Sequence, residues 1–300
     1  MCGDRGTSAP HVDRELLMSV CYRLVGALSE AEDAVQEAYA RWYALPDDAR
    51  DEISSPTAWL VTTASRICLD ILASARVARA AYVGEWLPEP ISDAAQWTTL
   101  SPSKMHTDPA DRLTLDESVS MALLVVFEKM TPAERVAFVL HDVFGYPYKE
   151  IGDIVGRSPQ ACRQLAASAR RRVREARPRP QSAPEQARVV SAFKAAWETG
   201  ELETLIQLLD PDSTCITDGG GLVSAAIEPI RGPLAIATLL LDVLRRVPHL
   251  QLTVTNVNGQ YGLVVRSRGR TLTVVAVAVN QGRIHNLWAL RNPHKLRAWQ

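Results

Sequence analysis

The chain has 300 residues, about twice an ordinary domain, so two or three compact units are expected. Its longest apolar runs, Leu234 to Leu241 and Leu272 to Val279, fall short of the roughly 20 residues that span a bilayer, and no basic-then-apolar leader opens it; a cytoplasmic protein is expected. Cys2, Cys21, Cys68, Cys162 and Cys215 are odd in number and scattered, which excludes a disulfide framework or a paired metal-ligand spacing and leaves buried thiols.

The net charge of −1 hides an asymmetry. The first 80 residues are acidic by roughly four charges and Thr131 to Pro180 is basic by about five, so one segment suits a basic protein surface and another suits phosphates.

Residues 1–81 read as all helix. Ser29 with Glu32 has capping-box spacing, and Ala31, Ala34, Val35, Ala38, Tyr39 and Trp42 recur at the helical interval, leaving Asp33, Gln36, Glu37 and Arg41 on other faces. Ser55-Pro56 opens a second helix, serine as cap and proline in the first turn, with Trp59, Leu60, Ile67, Ile71 and Leu72 as its apolar stripe. Residues 82–112 have linker composition: Pro88, Pro90, Pro102 and Pro109 interrupt any helical period.

Residues 113–177 are helical again. Thr131-Pro132-Ala133-Glu134 combines cap, first-turn proline and capping-box glutamate, and Gly145 closes the helix. A short helix from Tyr148 to Val155 stops at Gly156, and Ser158-Pro159 opens the next. The spacing predicts a helix-turn-helix: Cys162, Leu165, Ala166, Ala169 and Val173 face the core, which puts Gln160, Arg163, Gln164, Ala167, Ser168 and Arg171 on the stripe a major groove would meet. Arginine can pair bidentately with guanine and glutamine with adenine, while Ala167 or Ser168 permits close approach or a thymine-methyl contact. Arg170, Arg171, Arg172 and Arg174 suit phosphates and set affinity.

A proline-rich hinge at 178–184 leads to residues 185–300, where two helices give way to alternating strands, Leu250/Leu252/Val254 and Leu272/Val274/Ala276/Ala278, with a helix around Leu234 to Val247. An α+β unit with an antiparallel sheet is expected.

Several runs resemble bacterial sigma factors of the extracytoplasmic-function type. Ala31-Glu32-Asp33-Ala34-Val35-Gln36-Glu37-Ala38 is similar to the helix that docks on the clamp helices of core RNA polymerase. Pro56-Thr57-Ala58-Trp59-Leu60 through Asp70 is similar to the region that opens and reads the minus-10 element, and Thr131 to Arg174 to the domain that reads minus-35. Trp86-Leu87-Pro88-Glu89-Pro90, Asp218-Gly219-Gly220-Gly221 and Asn292-Pro293-His294-Lys295-Leu296 resemble signatures of a subgroup with a SnoaL-like or NTF2-like C-terminal extension.

The resemblance implies a multidomain fold, two all-α sigma domains followed by an α+β cone. It implies core RNA polymerase and promoter DNA as partners, with Asp33, Gln36, Glu37 and Arg41 at the polymerase. At minus-10 it points to Arg50, Trp59, Arg66 and Asp70, with the 44–54 loop and its Asp47, Asp48 and Asp51 as a site for a flipped base. It also implies a regulatory interface in cis made by Trp86, Leu87, Pro88, Glu89, Pro90, Asp218, Gly219, Gly220, Gly221, Asn292, Pro293 and Leu296, with Trp86 as its apolar anchor. By itself, Asp218 before three glycines reads most simply as a turn.

In the C-terminal cone the candidate polar groups are Asp218, His285, Arg291 and His294, without a nucleophile, metal spacing or paired carboxylate, so no catalysis, cofactor or metal is expected and a small-molecule ligand stays open. A ligand-responsive helix-turn-helix regulator that does not act as a sigma subunit is the alternative.

Overall fold

The computed structural model describes residues 14–92, 115–176 and 182–300. Cys2, Pro102, Pro109, Pro178 and Pro180 lie outside them. The described chain forms two compact units, residues 14–74 with 115 and 130–169, and residues 75–92 with 116–129, 170–176 and 182–300.

In the first unit, α1 (Arg14–Val25), α2 (Leu28–Tyr43), α3 (Asp47–Asp51) and the first part of α4 (Pro56–Ala80) carry one set of apolar stripes. Leu17, Val20, Cys21, Leu24, Ala31, Ala34, Val35, Ala38, Leu60, Val61, Ala64 and Cys68 are all buried. Among the described residues, Pro56–Ala75 within α4 is long and apolar enough to cross a bilayer; it buries Leu60, Val61, Ala64, Ile67, Cys68 and Leu72 in the protein. Ser55 caps it, its hydroxyl accepting from the Ala58 amide at 3.2 Å. The capping box expected from Ser29 and Glu32 does not form: Gly26, at φ 75°, closes α1 by donating to the Tyr22 carbonyl, so the chain is already helical at Leu28 and Ala27 is the cap. The 44–54 loop also contains a helix of its own, α3.

The same unit includes α7 (Pro132–Phe138), continued by a π-helical turn (Val139–Val143), then α8 (Tyr148–Val155) and the start of α9 (Pro159–Ala176). The Thr131/Glu134 capping box is complete. Gly156 ends α8 in the left-handed conformation. Gly152 sits where any Cβ would press on the Arg157 carbonyl at 2.6 Å, so the tight turn between α8 and α9 requires glycine there. Two buried arginines join these helices to the earlier ones. Arg135 donates to the Leu24 carbonyl at 2.7 Å, and the Arg23 guanidinium lies 5.5 Å from the centre of the Phe144 ring.

The second unit is built on a six-stranded sheet in the order β2-β1-β6-β5-β4-β3, from β1 (Leu209–Asp218), β2 (Ile230–Arg231), β3 (Leu250–Val257), β4 (Gln260–Ser267), β5 (Arg270–Asn280) and β6 (Arg283–Leu290). The sheet is mixed, because β1 and β6 run parallel. The expectation of a purely antiparallel sheet is corrected here: α12 (Pro233–Arg246) and the β3–β5 meander carry the chain back, so β6 enters beside β1 in the same direction. Helices α10 (Ala183–Thr199), α11 (Leu202–Leu208) and α12 cover one face through Val189, Phe193, Trp197, Leu205, Ile236 and Leu240. Ser182 caps α10, so the last two residues of the expected hinge are helical.

The other face of the sheet has its own apolar cluster, Val264, Val274, Ala276, Trp288 and Leu290, which explains why β5 is buried on both sides. It is covered by Leu87 of the linker, by Met121 on α6 (Met121–Glu128), which follows the short α5 (Leu115–Ser118), and by Leu296 and Trp299 of the C-terminal 3-10 helix (Pro293–Trp299).

Candidate polymerase, promoter and regulatory surfaces

On α9 the helical interval separates two faces. Cys162, Ala166, Ala169 and Val173 are buried, whereas Gln160, Arg163, Gln164, Ala167 and Arg171 form an exposed stripe; Leu165 is half-buried. The Ser158 hydroxyl accepts from the Ala161 amide and fixes the start of the helix. Arg163 stacks its guanidinium 5.5 Å from the centre of the Tyr148 ring, which holds the side chain on the exposed face. Ser168 is different: half-buried, it donates to Glu134 Oε1 at 2.9 Å and ties α9 to the capping box of α7. Arg172 donates to the Lys129 carbonyl at 3.1 Å, and Arg170 is half-buried.

Asp33, Gln36, Glu37 and Arg41 are all exposed on α2, opposite Ala31, Ala34, Val35 and Ala38. Arg41 and Glu37 pair with each other at 2.8 Å. Of the four minus-10 candidates, Asp70 and Arg66 are exposed on α4, and Arg66 also donates to the Asp153 carbonyl of α8 at 2.8 Å. Trp59 is half-buried, its ring edge-on to Trp42 at 5.3 Å. Arg50 pairs with Asp47 across α3.

The most developed polar site joins the linker to the C-terminal sheet. Asp218, fully buried at the end of β1, accepts four hydrogen bonds. Oδ1 takes the Tyr82 hydroxyl at 2.6 Å and the Gly220 amide at 3.0 Å; Oδ2 takes the Leu87 amide at 3.0 Å and Lys295 Nζ at 2.7 Å. The Lys295 ammonium, 4.0 Å from the centre of the Trp86 ring, also donates to the Leu87 carbonyl. Asn292 donates to the Tyr82 oxygen at 2.9 Å and caps the 3-10 helix by accepting from the His294 amide. Burial, and then the Asp218 bond, push the Tyr82 phenol well above its usual range.

Each glycine of the triplet meets a requirement here. Gly219 has no room beside the Val223 carbonyl; Gly220, at φ 62°, meets the Asn292 amide group; Gly221, at φ 70°, lies against Val83. Leu87, Pro88, Glu89 and Pro90 are buried and Trp86 is half-buried, so the apolar anchor is Leu87 and not the expected Trp86, whose ring carries the lysine instead. Pro293 is exposed and contributes the first turn of the 3-10 helix. Further along, Ile91 and Asn258 bond reciprocally, Asn258 also donates to the Val119 carbonyl, and the Trp299 indole donates to the Pro90 carbonyl. The turn reading of Asp218 accounts for its Gly220 bond; the other three bonds belong to the linker and the C-terminal helix.

Residues 13–77 match the Sigma-70 region 2 family and residues 120–173 match the Sigma-70, region 4 family. The ECF RNA polymerase sigma factor SigJ of Mycobacterium tuberculosis is 37% identical over 297 residues, covering 94% of this chain and 90% of that protein. The chain belongs to the extracytoplasmic-function sigma factors of RNA polymerase.

The probable sigma factor SigI of the same organism is 35% identical, over 98% of this chain and 95% of its own. The crystal structure of M. tuberculosis SigJ superposes with a TM-score of 0.72 at 33% identity, covering 94% of this chain and 95% of that one. The similarity therefore runs through the C-terminal cone as well as the helical regions. A sigma factor binds core RNA polymerase and promoter DNA, which sets aside the alternative of a regulator that reads DNA without the polymerase.

Within this sigma factor the cone encloses a cavity of about 520 Å³ between α10, α12 and the sheet. Of the four polar groups expected there, Arg291 alone lines it. Thr217 faces the cavity, so its neighbour Asp218 points away, as strand alternation demands. His285 pairs with Asp210 at 3.2 Å, and His294 belongs to the C-terminal 3-10 helix. Cys215 also lines the cavity, and burial pushes its thiol up to about 12, which keeps it protonated at neutral pH and a poor nucleophile.

Tyr82, Lys295, Asn258, Val119 and Trp299 were not among the residues expected at the regulatory interface. Lys295 lay inside the Asn-Pro run, and Asn258-Gly259 carries the signature of a tight hairpin turn, but nothing in the sequence says that such a turn receives the linker.

Proposed function

We propose that this sigma factor is regulated in cis: its C-terminal cone holds the linker and the first helix of region 4 on the outer face of its sheet, and release from that face permits engagement of polymerase and promoter. The observation that carries this reading is Asp218, whose carboxylate takes one bond from its own turn, two from the linker and one from Lys295. Met121, inside the matched region 4, packs in the same apolar cluster as Leu87. A domain that buries part of the DNA-reading region can bias an equilibrium between closed and competent states.

In the competent state the exposed face of Asp33, Gln36, Glu37 and Arg41 meets a basic surface of core polymerase. Gln160, Arg163, Gln164 and Ala167 read minus-35 bases, with Arg170 and Arg171 on phosphates. Ser168, already bonded to Glu134, acts by positioning α9. Arg50, Arg66, Asp70 and Trp59 serve the minus-10 element, Arg66 after giving up the Asp153 carbonyl. The protein works in the cytoplasm with the polymerase, and the cavity senses a small molecule without turning it over.

The test is reconstituted transcription with core polymerase. Ending the chain after Leu290 removes Asn292, Lys295, Leu296 and Trp299 and is expected to raise initiation at limiting sigma concentration. Ending it after Ala183 removes the cone entirely. Output unchanged by both truncations overturns regulation in cis.

A further inference from the structure

The cavity has a feature that specifies its ligand. Its walls are mainly apolar, with Phe193, Trp197, Ile230, Leu239, Val275 and Leu287 among them. The charged side chains lining it are Asp242, Arg246 and Arg291. Arg246 and Asp242 pair with each other at 2.8 Å and are largely solvated. Arg291 is half-buried, and its guanidinium donates to a neutral group, the Ser224 carbonyl. Burial pulls its pKa down, and Asp242, the one carboxylate among the described lining residues, is held by Arg246. The lining therefore carries one uncompensated positive charge inside an apolar wall.

We propose that the cavity is a binding site for a compact, mostly apolar monocarboxylate whose carboxylate pairs with Arg291. The volume lies in the range that takes a small organic ligand, and a few polar groups in an apolar wall fix its orientation. A planar carboxylate matches the guanidinium fork and supplies the missing counter-charge. A dianion would need a second free cation, and Arg246 is already neutralised by Asp242.

The site also connects to the linker. The Arg291 and Asn292 amides both donate to the Asp218 carbonyl, at 2.7 and 2.9 Å. Ser224 lies in the segment that continues to Ala226, which accepts from Thr217, and to Ile227, whose backbone faces Gly84 of the linker. A carboxylate that draws Arg291 off the Ser224 carbonyl frees a segment that touches the linker. This consequence rests on the proposed regulation in cis; the binding itself does not.

The full chain is titrated calorimetrically with 4-phenylbutyrate and with the neutral 4-phenylbutan-1-ol. The acid is expected to bind one to one and at least about tenfold more tightly than the alcohol. Arg291→Gln should abolish that preference, whereas Arg291→Lys should retain part of it and Arg283→Gln, exposed at the start of β6 and outside the lining, should leave it intact. Equal affinity for acid and alcohol overturns the proposal, as does failure of both to bind at millimolar concentration, or retention of the preference in Arg291→Gln. If Arg291→Gln does not fold, the acid and alcohol on the unmodified chain, with Arg291→Lys, still decide. The truncations above need no ligand, so regulation in cis and carboxylate binding can each fail alone.

Discussion

Asp218 accepts four donors, and an amide at the same place has one accepting oxygen. In Asp218→Asn the Lys295 ammonium also loses its buried counter-charge. The substitution should cost about 3 kcal/mol of cone stability, read by denaturant unfolding; a loss under about 0.5 kcal/mol would show that the carboxylate is not what holds these groups. Tyr82 adds a pH dependence. Its phenol titrates higher folded than unfolded, so the folded state keeps a proton that the unfolded chain releases above a pKa near 10. Its stabilising contribution is complete below that value and is lost as pH rises through the folded pKa. Thermal unfolding between pH 9 and 11 should therefore show a fall in stability that is smaller in Tyr82→Phe.

At the scale of elements, α9 buries Cys162, Ala166, Ala169 and Val173 and exposes Gln160, Arg163, Gln164, Ala167 and Arg171, and the proposed promoter reading gives its arginines different tasks. Arg163→Ala should relax preference at a single upstream base by about tenfold, measured on a set of minus-35 variants, whereas Arg171→Ala should weaken all templates alike. An equal loss on every template for Arg163→Ala would assign it to phosphate. The turn after β1 is as demanding as α9 is permissive: Gly220→Ala puts a methyl into the Asn292 amide at a positive φ. It should shift the linker toward the free state with the Asp218 carboxylate still present, raising proteolysis within 82–91. Helix α6 shows an element changing allegiance. Region 4 of the sequence includes it, yet Met121 belongs to the apolar cluster on the sheet.

Across the whole molecule, regulation in cis predicts that stability of the cone and transcriptional output move in opposite directions. Asp218→Asn and the truncation after Leu290 both remove bonds to the linker, one by chemistry and one by deletion, and both should raise initiation at limiting sigma concentration. A variant that loosens the linker, by proteolysis, and leaves transcription unchanged would separate the contact from the regulation.

Local chemistry was enough to place most elements. The Thr131/Glu134 capping box, the glycine stop at Gly156, the Ser-Pro starts at 55–56 and 158–159, and the strand alternation after Leu250 are all short-range devices, and each lies where the spacing predicted. The family was legible for the same reason, since its motifs are contiguous runs. What needed the tertiary structure was everything that depends on long-range pairing. The parallel β1–β6 pair, the transfer of Met121 to the sheet, the choice of Leu87 over Trp86 as anchor, and the meeting of Tyr82, Asp218 and Lys295 join residues up to about 200 positions apart, where no periodicity carries information. Arg291 and Asp218 looked alike in the sequence, two polar groups near a glycine turn and a strand end. Only the pairing of β1 with β6 decides that one faces the cavity and the other the linker, because strand register fixes which side of a sheet each side chain occupies.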